Sequence, residues 1–185
     1  MSKRYSIPSV VLCMLLATFS QAAETGTLDL GKYNSFEGFV DIWWDETTGR
    51  MLMRVDELDT PFLYQSSLPQ GIGSNEIGLD RGQLGDTKVV RFLRSGPKIL
   101  LVEDNLRYRA NSDNVDERQA IAESFARSVI WGFTDIDEAD DSTIVDATPF
   151  FVRDAHGVAA RLAAMEEGNF VVDDSRSAIY LQRTK

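Results

Sequence analysis

Cysteine and histidine are almost missing: Cys13 and His156 stand alone in 185 residues. A catalytic zinc site typically draws about three ligands from His, Cys and carboxylate, commonly two His with a Glu. The chain lacks that supply, and it contains no H-E-x-x-H. A self-contained zinc hydrolase is therefore excluded as a reading. With Cys13 alone, neither a disulfide framework nor thiol chemistry is on offer. Positive charge is also short, at 19 Lys and Arg against 29 Asp and Glu, a formal net charge of −10. Nucleic acid needs clustered cations to displace its counterions, so it is not the expected partner. Ser66, Ser67 and Ser74 have no G-x-S-x-G elbow around them. Gly71-Ile-Gly73 has no third glycine, no helix start and no Walker lysine after it, which argues against a nucleotide. The acidic run Asp135 to Asp141 lacks the ligand order of an EF-hand and reads as a solvated loop.

Long apolar runs are missing as well. The longest, Ile7 to Phe19, falls short of the roughly 20 residues of a membrane span. Lys3 and Arg4 precede it and Ser20-Gln21-Ala22 follows, the charge, apolar stretch and small residues of an export signal. Residues 1–22 are thus expected to be a cleaved signal peptide. Cys13 would leave with it, since bulky Leu12 stands where a lipid-attachment site wants a small residue. Removal takes the formal charge from −10 to −12, because the leader holds two basic residues and no acidic one. The expected location is periplasmic or secreted, with no membrane contact beyond the export signal. Residues 23–37 read as a loose lead-in and 38–185 as one domain, a length that can bury a real core.

Within that domain the periodicity is first that of strands. Phe36 to Val55 reads as a β-hairpin, with Glu46-Thr-Thr-Gly49 as the turn. Pairing Asp45 with Arg50 sets Ile42 against Met53 and Trp44 against Met51 on an apolar side. Asp41 and Arg54 then share the other side, with Trp43 beside Leu52. Phe62 to Ser67 is a third strand. Thr87 to Arg94 and Lys98 to Asp104 form a second hairpin, and a three-residue turn at Ser95-Gly96-Pro97 would set Phe92 against Leu100. After Asn111 the period becomes helical. Asn114 and Glu117 form a capping-box pattern, and Ile121, Phe125 and Val129 mark a stripe that Gly132 ends. A short strand at Thr143 to Asp146 precedes Thr148-Pro149, which opens a second helix with Phe151, Ala155, Val158, Leu162 and Met165 inward. Phe170 to Val172 and Ala178 to Leu181 read as terminal strands. The class expected is α+β, an antiparallel hairpin-built sheet with two packed helices.

One stretch belongs to neither pattern. Leu68 to Asp86 holds five glycines and no aromatic residue, and it is much longer than the usual connection of about 4–6 residues. Its polar residues Asn75, Glu76, Asp80, Arg81 and Asp86 suit a docking surface, as does Trp43 on the charged side of the first hairpin. His156, in Arg-Asp-Ala-His-Gly, reads as a helix-surface histidine bonded to a carboxylate or carbonyl. A base working with Asp154 is the rival role. These seven residues, Trp43, Asn75, Glu76, Asp80, Arg81, Asp86 and His156, form the candidate interaction surface. No catalytic, cofactor-binding or metal residue is expected.

Several strings together carry a resemblance. They are Phe39-Val-Asp-Ile-Trp-Trp-Asp, Phe62-Leu-Tyr-Gln-Ser-Ser-Leu and, most specific, Gly73-Ser-Asn-Glu-Ile-Gly-Leu-Asp-Arg-Gly-Gln-Leu-Gly-Asp. Val90-Arg-Phe, Gly96-Pro-Lys-Ile-Leu-Leu-Val, Asn105-Leu-Arg-Tyr-Arg, Ser124-Phe-Ala-Arg-Ser-Val, Arg153-Asp-Ala-His-Gly-Val and Ser175-Arg-Ser-Ala-Ile-Tyr continue it. From about Gly38 to Lys185 the chain resembles the N-terminal region, of unknown function, of large exported bacterial zinc-dependent metalloproteases. The resemblance implies a non-catalytic module whose partner is a catalytic metallopeptidase domain in cis, packed on or positioned by it. Zinc is expected only in that downstream part of the relatives, where their H-E-x-x-H lies, so no ligand is carried onto this chain. It also implies that the 185 residues are a fragment or a shortened relative. Two rival functions remain: a free-standing periplasmic module holding a small ligand or glycan in the 68–86 loop, and a small enzyme using His156.

Overall fold

The computed structural model describes residues 28–139 and 142–181. The expected signal peptide and its cleavage site lie outside the described residues. Eight strands make one antiparallel sheet in the order β1-β2-β3-β8-β7-β6-β5-β4. They are β1 (Asn34–Phe36), β2 (Ile42–Asp45), β3 (Arg50–Val55), β4 (Phe62–Tyr64), β5 (Lys88–Ser95), β6 (Lys98–Glu103), β7 (Ser128–Ala139) and β8 (Ser142–Asp146). Three short helices, α1 (Val115–Ser124), α2 (Thr148–Phe151) and α3 (Val158–Ala164), complete the α+β class. β1 falls within the segment read from sequence as lead-in. It pairs with β2, Ser35 opposite Trp43.

The first hairpin folds in the expected register, with Ile42 opposite Met53, Trp44 opposite Met51 and Asp45 opposite Arg50. Gly49 takes the positive φ (69°) that closes its turn. Met51, Met53 and Val55 are buried on one side, and Arg54 pairs with Asp41 on the other. The Asp45–Arg50 charge pair does not form between side chains. Asp45 instead accepts from Thr47 and Thr48 in the turn, while the Arg50 Nε donates to Asp146 Oδ2 at 2.9 Å. Local capping competes with the cross-strand pair, and the turn donors are nearer.

The second hairpin corrects its expected register by one residue. Ser95 pairs with Lys98 across a two-residue turn, so Phe92 faces Leu101 and Val90 faces Glu103. Gly96 (φ 57°) takes the first turn position and Pro97, with its fixed negative φ, the second. A positive-φ glycine followed by proline is shorter and better matched to strand twist than a three-residue turn.

β7 organises the sheet. Its first half, through Thr134, pairs with β6, and its second half, from Asp135, pairs with β8. A register shift interrupts each ladder, between Leu101 and Val102 on β6 and between Asp135 and Asp137 on β7. Such shifts bend a strand and increase its local twist. The inward residues of β3 and β8 thereby meet those of β5 and β6 in one core, with Phe133 of β7 in the middle. The sequence places a helical stripe and then a solvated acidic loop over this span. The structure corrects both: α1 stops at Ser124, Val129 to Gly132 belong to β7, and Asp135 to Ala139 are strand. Val129-Ile-Trp-Gly-Phe-Thr is rich in β-branched and aromatic residues, and six of the seven residues Ser128 to Thr134 are paired along β6. The Asn114 cap holds, its Oδ1 accepting from Asp116 N–H at 2.9 Å, but Ser112 rather than Glu117 serves the Asn114 N–H.

The long second helix expected from Thr148 is two helices. Its chain breaks at Val152 to Gly157, where the Asp154 carboxylate turns back to accept from the N–H groups of Val158 and Ala159, each at 2.8 Å. Gly157 (φ 67°) lets the chain make this bend. Phe150, not Phe151, is the ring packed against the core. Phe170 to Val172 and Ala178 to Leu181 are not strands. This last stretch crosses the surface, with Ile179 and Leu181 against the core.

Asp146, at the end of β8, gives the fold a pH signature. Burial opposes its charge, but the Thr148 hydroxyl and N–H and the Arg50 guanidinium outweigh burial and hold its carboxyl below the ordinary value. A carboxyl depressed by folding stabilises above its unfolded value, about 3.9, and that contribution disappears as pH falls through the folded value. The wild-type urea midpoint should fall more steeply than that of Asp146→Asn as pH drops from about 5 to 3. Parallel curves would show that this residue contributes nothing to the acid limb.

Candidate functional site

The 68–86 stretch is a folded arm. Its base continues the β4–β5 region as a ladder: Gly85 N–H donates to Ser66 C=O at 2.8 Å, Leu68 N–H to Gln83 C=O at 3.0 Å and Gly82 N–H to Leu68 C=O at 2.8 Å. Further out, Ile72 N–H reaches Leu79 C=O, and Gly78 N–H closes the tip on Asn75 C=O. Leu79 is buried, and the Arg161 Nη1 of α3 donates to Ile77 C=O at 2.9 Å, tying the arm to the helix. Gly73, Gly78 and Gly82 have positive φ (82°, 64° and 81°), which is where the arm requires glycine.

Between this arm and the turn joining α2 to α3 lies a polar cleft of about 590 Å³. Asp86 and Leu84 line the arm side, His156 and Arg153 the turn, and Lys88 and Glu103 the floor. The floor pair is an ion pair, Lys88 Nζ to Glu103 Oε2 at 2.5 Å. Arg153 is held from several sides. Its Nε donates to Phe150 C=O and its Nη2 to the Tyr64 hydroxyl, both at 2.9 Å. The guanidinium lies 4.5 Å from the Phe150 ring centroid and 5.6 Å from that of Trp131. A second cleft, of about 600 Å³, lies between Trp44, Trp131 and the chain from Val172 to Ile179.

Of the seven residues expected to form one surface, the cleft gathers Asp86 and His156. Asn75, Glu76, Asp80 and Arg81 are exposed on the arm but do not line it. Trp43 is elsewhere, on the outer side of β2. It is half-buried, with the Arg54 guanidinium 5.6 Å from its ring centroid, so it is not the freely exposed contact expected. The helix position expected for His156 is corrected to the turn before α3. Asp154 caps α3, so its carboxylate is engaged with backbone donors rather than with a basic imidazole. Arg153, Lys88, Glu103 and Tyr64 were not legible as a set. The two-residue turn brings Lys88 one diagonal step from Glu103, and only that register reveals the pair.

Among the described residues, no three His, Cys, Asp or Glu side chains group so as to hold a metal. Among the same residues, no helix is long and apolar enough to cross a membrane.

An antiparallel α+β domain with a glycine arm over an open polar cleft is what the fold and site define. Its residues 82–185, more than half of the chain, match the family model described as Domain of unknown function (DUF5117), and the chain belongs to that family. The match begins inside the glycine arm and covers β5 onward. No curated protein and no solved structure matches the chain.

Proposed function

We propose that this chain is a non-catalytic, exported module that packs on or positions the catalytic domain of a zinc-dependent metallopeptidase in cis. The supporting observation is the apolar surface of the segment after α3. Phe170, Val171, Val172 and Tyr180 are all exposed, Val171 at 91%. Three consecutive apolar residues left in solvent are a feature of docking surfaces more than of free ones. The resemblance of the glycine arm and the hairpin strings to the N-terminal region of such proteases supplies the identity of the partner.

The experiment expresses the mature chain and the H-E-x-x-H-bearing domain of a relative separately, then measures their association and the protease activity. Association is expected, together with a change in activity on mixing. Val171→Asp touches no core, so it should leave the melting temperature within about a degree while weakening association at least tenfold, because it buries an unpaired charge. No association, with activity indifferent to the module, would contradict the proposal.

A further inference from the structure

The cleft beside the glycine arm gathers two arginines and the one histidine in a chain whose net charge is −10. Arg153, His156 and Arg161 all line it, and among the described residues none of the three is in an ion pair with a carboxylate. Of the two acids on its wall, Glu103 is taken up by Lys88.

Arg153 is also oriented in advance. A guanidinium carries about five N–H donors. Here one is spent on Phe150 C=O and one on the Tyr64 hydroxyl. The whole of Nη1 and the second N–H of Nη2 remain, so two nitrogens still have donors for the two oxygens of one planar group. The Phe150 and Trp131 rings lie against the cation and limit the positions it can take. Arg161 is fixed at one nitrogen by Ile77 C=O and has its other donors left over.

We propose that this cleft binds a carboxylate, with Arg153 as the forked anchor and Arg161 and His156 flanking it. A planar carboxylate presents two oxygens in the plane that two guanidinium nitrogens can meet together. The site does not rest on the docking proposal, since its residues are separate from Phe170 to Val172. The carboxylate belongs either to a free polycarboxylate or to an acidic side chain of a polypeptide.

Calorimetric titration of the full chain at constant ionic strength tests this with two probes, citrate and acetyl-Glu-Glu-Glu-amide. Sulfate and acetyl-Gln-Gln-Gln-amide are the controls. At least one acidic probe is expected to bind, and the glutamine peptide is not. Binding of citrate alone assigns a free polycarboxylate, binding of the peptide alone assigns a polypeptide side chain, and binding of both assigns the carboxylate group itself. Arg153→Lys keeps the charge but loses the fork, and should weaken binding at least tenfold. Arg161→Gln, on an exposed helix position, should do the same while leaving circular dichroism unchanged and lowering the melting temperature only by the few degrees expected from losing the Ile77 bond, which guards against a folding defect in the first variant. Binding of neither acidic probe overturns the proposal. So does sulfate binding as tightly, or an Arg161→Gln variant that binds as the wild type does.

Discussion

Phe133→Ala is expected to cost about 3–5 kcal/mol of folding free energy, the range for removing a buried phenylalanine. Phe133 is 1% exposed and sits on β7 opposite Ile99. Its ring lies 6.2 Å from that of Phe92 and 5.3 Å from that of Phe150, measured between centroids. It is therefore where β5, β7 and α2 touch, and β7 is the strand through which the two halves of the sheet are joined. A cavity there loses contacts on every side, and a bent sheet cannot collapse to fill it without shifting one half against the other. Urea denaturation of the wild type and variant should show the midpoint fall with little change in slope. A loss under about 1 kcal/mol would mean that the two halves do not share a core at this ring.

Arg91→Ala is expected to cost about 2–3 kcal/mol, at the upper end for hydrogen bonds to a charged group. Arg91 contacts Asp104 through Nε and Nη2, and its Nη1 donates to the Asp59 carboxylate at 2.9 Å and carbonyl at 3.0 Å. The Asp104 and Asp59 carboxylates hold the guanidinium's affinity for its proton above the usual arginine range. Side-chain exposure of 21% for Arg91 and 15% for Asp104 means that solvent screens this pair little. Removing the arginine leaves Asp104 without its partner and frees the 56–61 segment, where Asp59 is held at a positive φ of 58°. Asp104→Asn in the Arg91→Ala background should recover part of the loss, because the unpaired charge is gone. A single variant as stable as wild type would show that the cluster is solvent-screened after all.

These two residues differ in how far the sequence reveals them. Asp45-Glu-Thr-Thr-Gly-Arg fixes the first hairpin because a one-residue slip would bury Asp41 and Arg54. The second hairpin has apolar residues at Leu93 and Leu100 as well as at Phe92 and Leu101, so a slip there costs little in pattern, and turn chemistry decides the register. Arg91 and Asp104 become neighbours only once that register is right. Phe133 was hidden by a different ambiguity. Ile121, Phe125 and Val129 repeat at helical spacing across a real boundary, and only β6 pairing shows where the helix stops. The break before α3 was hidden by its cap: Asp154 and Gly157 sit inside an apolar stripe that would otherwise continue.

The site shows the same limit. The glycine arm stands out by composition, and its positive-φ glycines and folded ladder follow from that composition. His156 stands out as the one histidine. That the two share a cleft, and that Arg153 is held there between two rings and a tyrosine, depends on the bend at Gly157 and on the short course of β4. Neither has a periodic signal. Trp43 stood out for the opposite reason: an aromatic on a charged strand face looks unpaired until Arg54 is placed over it.

The central proposal is that this chain supplies a surface to a hydrolytic centre held in another domain. Purified residues 23–185 should therefore be assayed for zinc by elemental analysis and for cleavage of a mixed peptide library with and without chelator. The account predicts substoichiometric zinc and no cleavage that a chelator stops. One tightly held zinc per chain, together with chelator-sensitive cleavage, would contradict it.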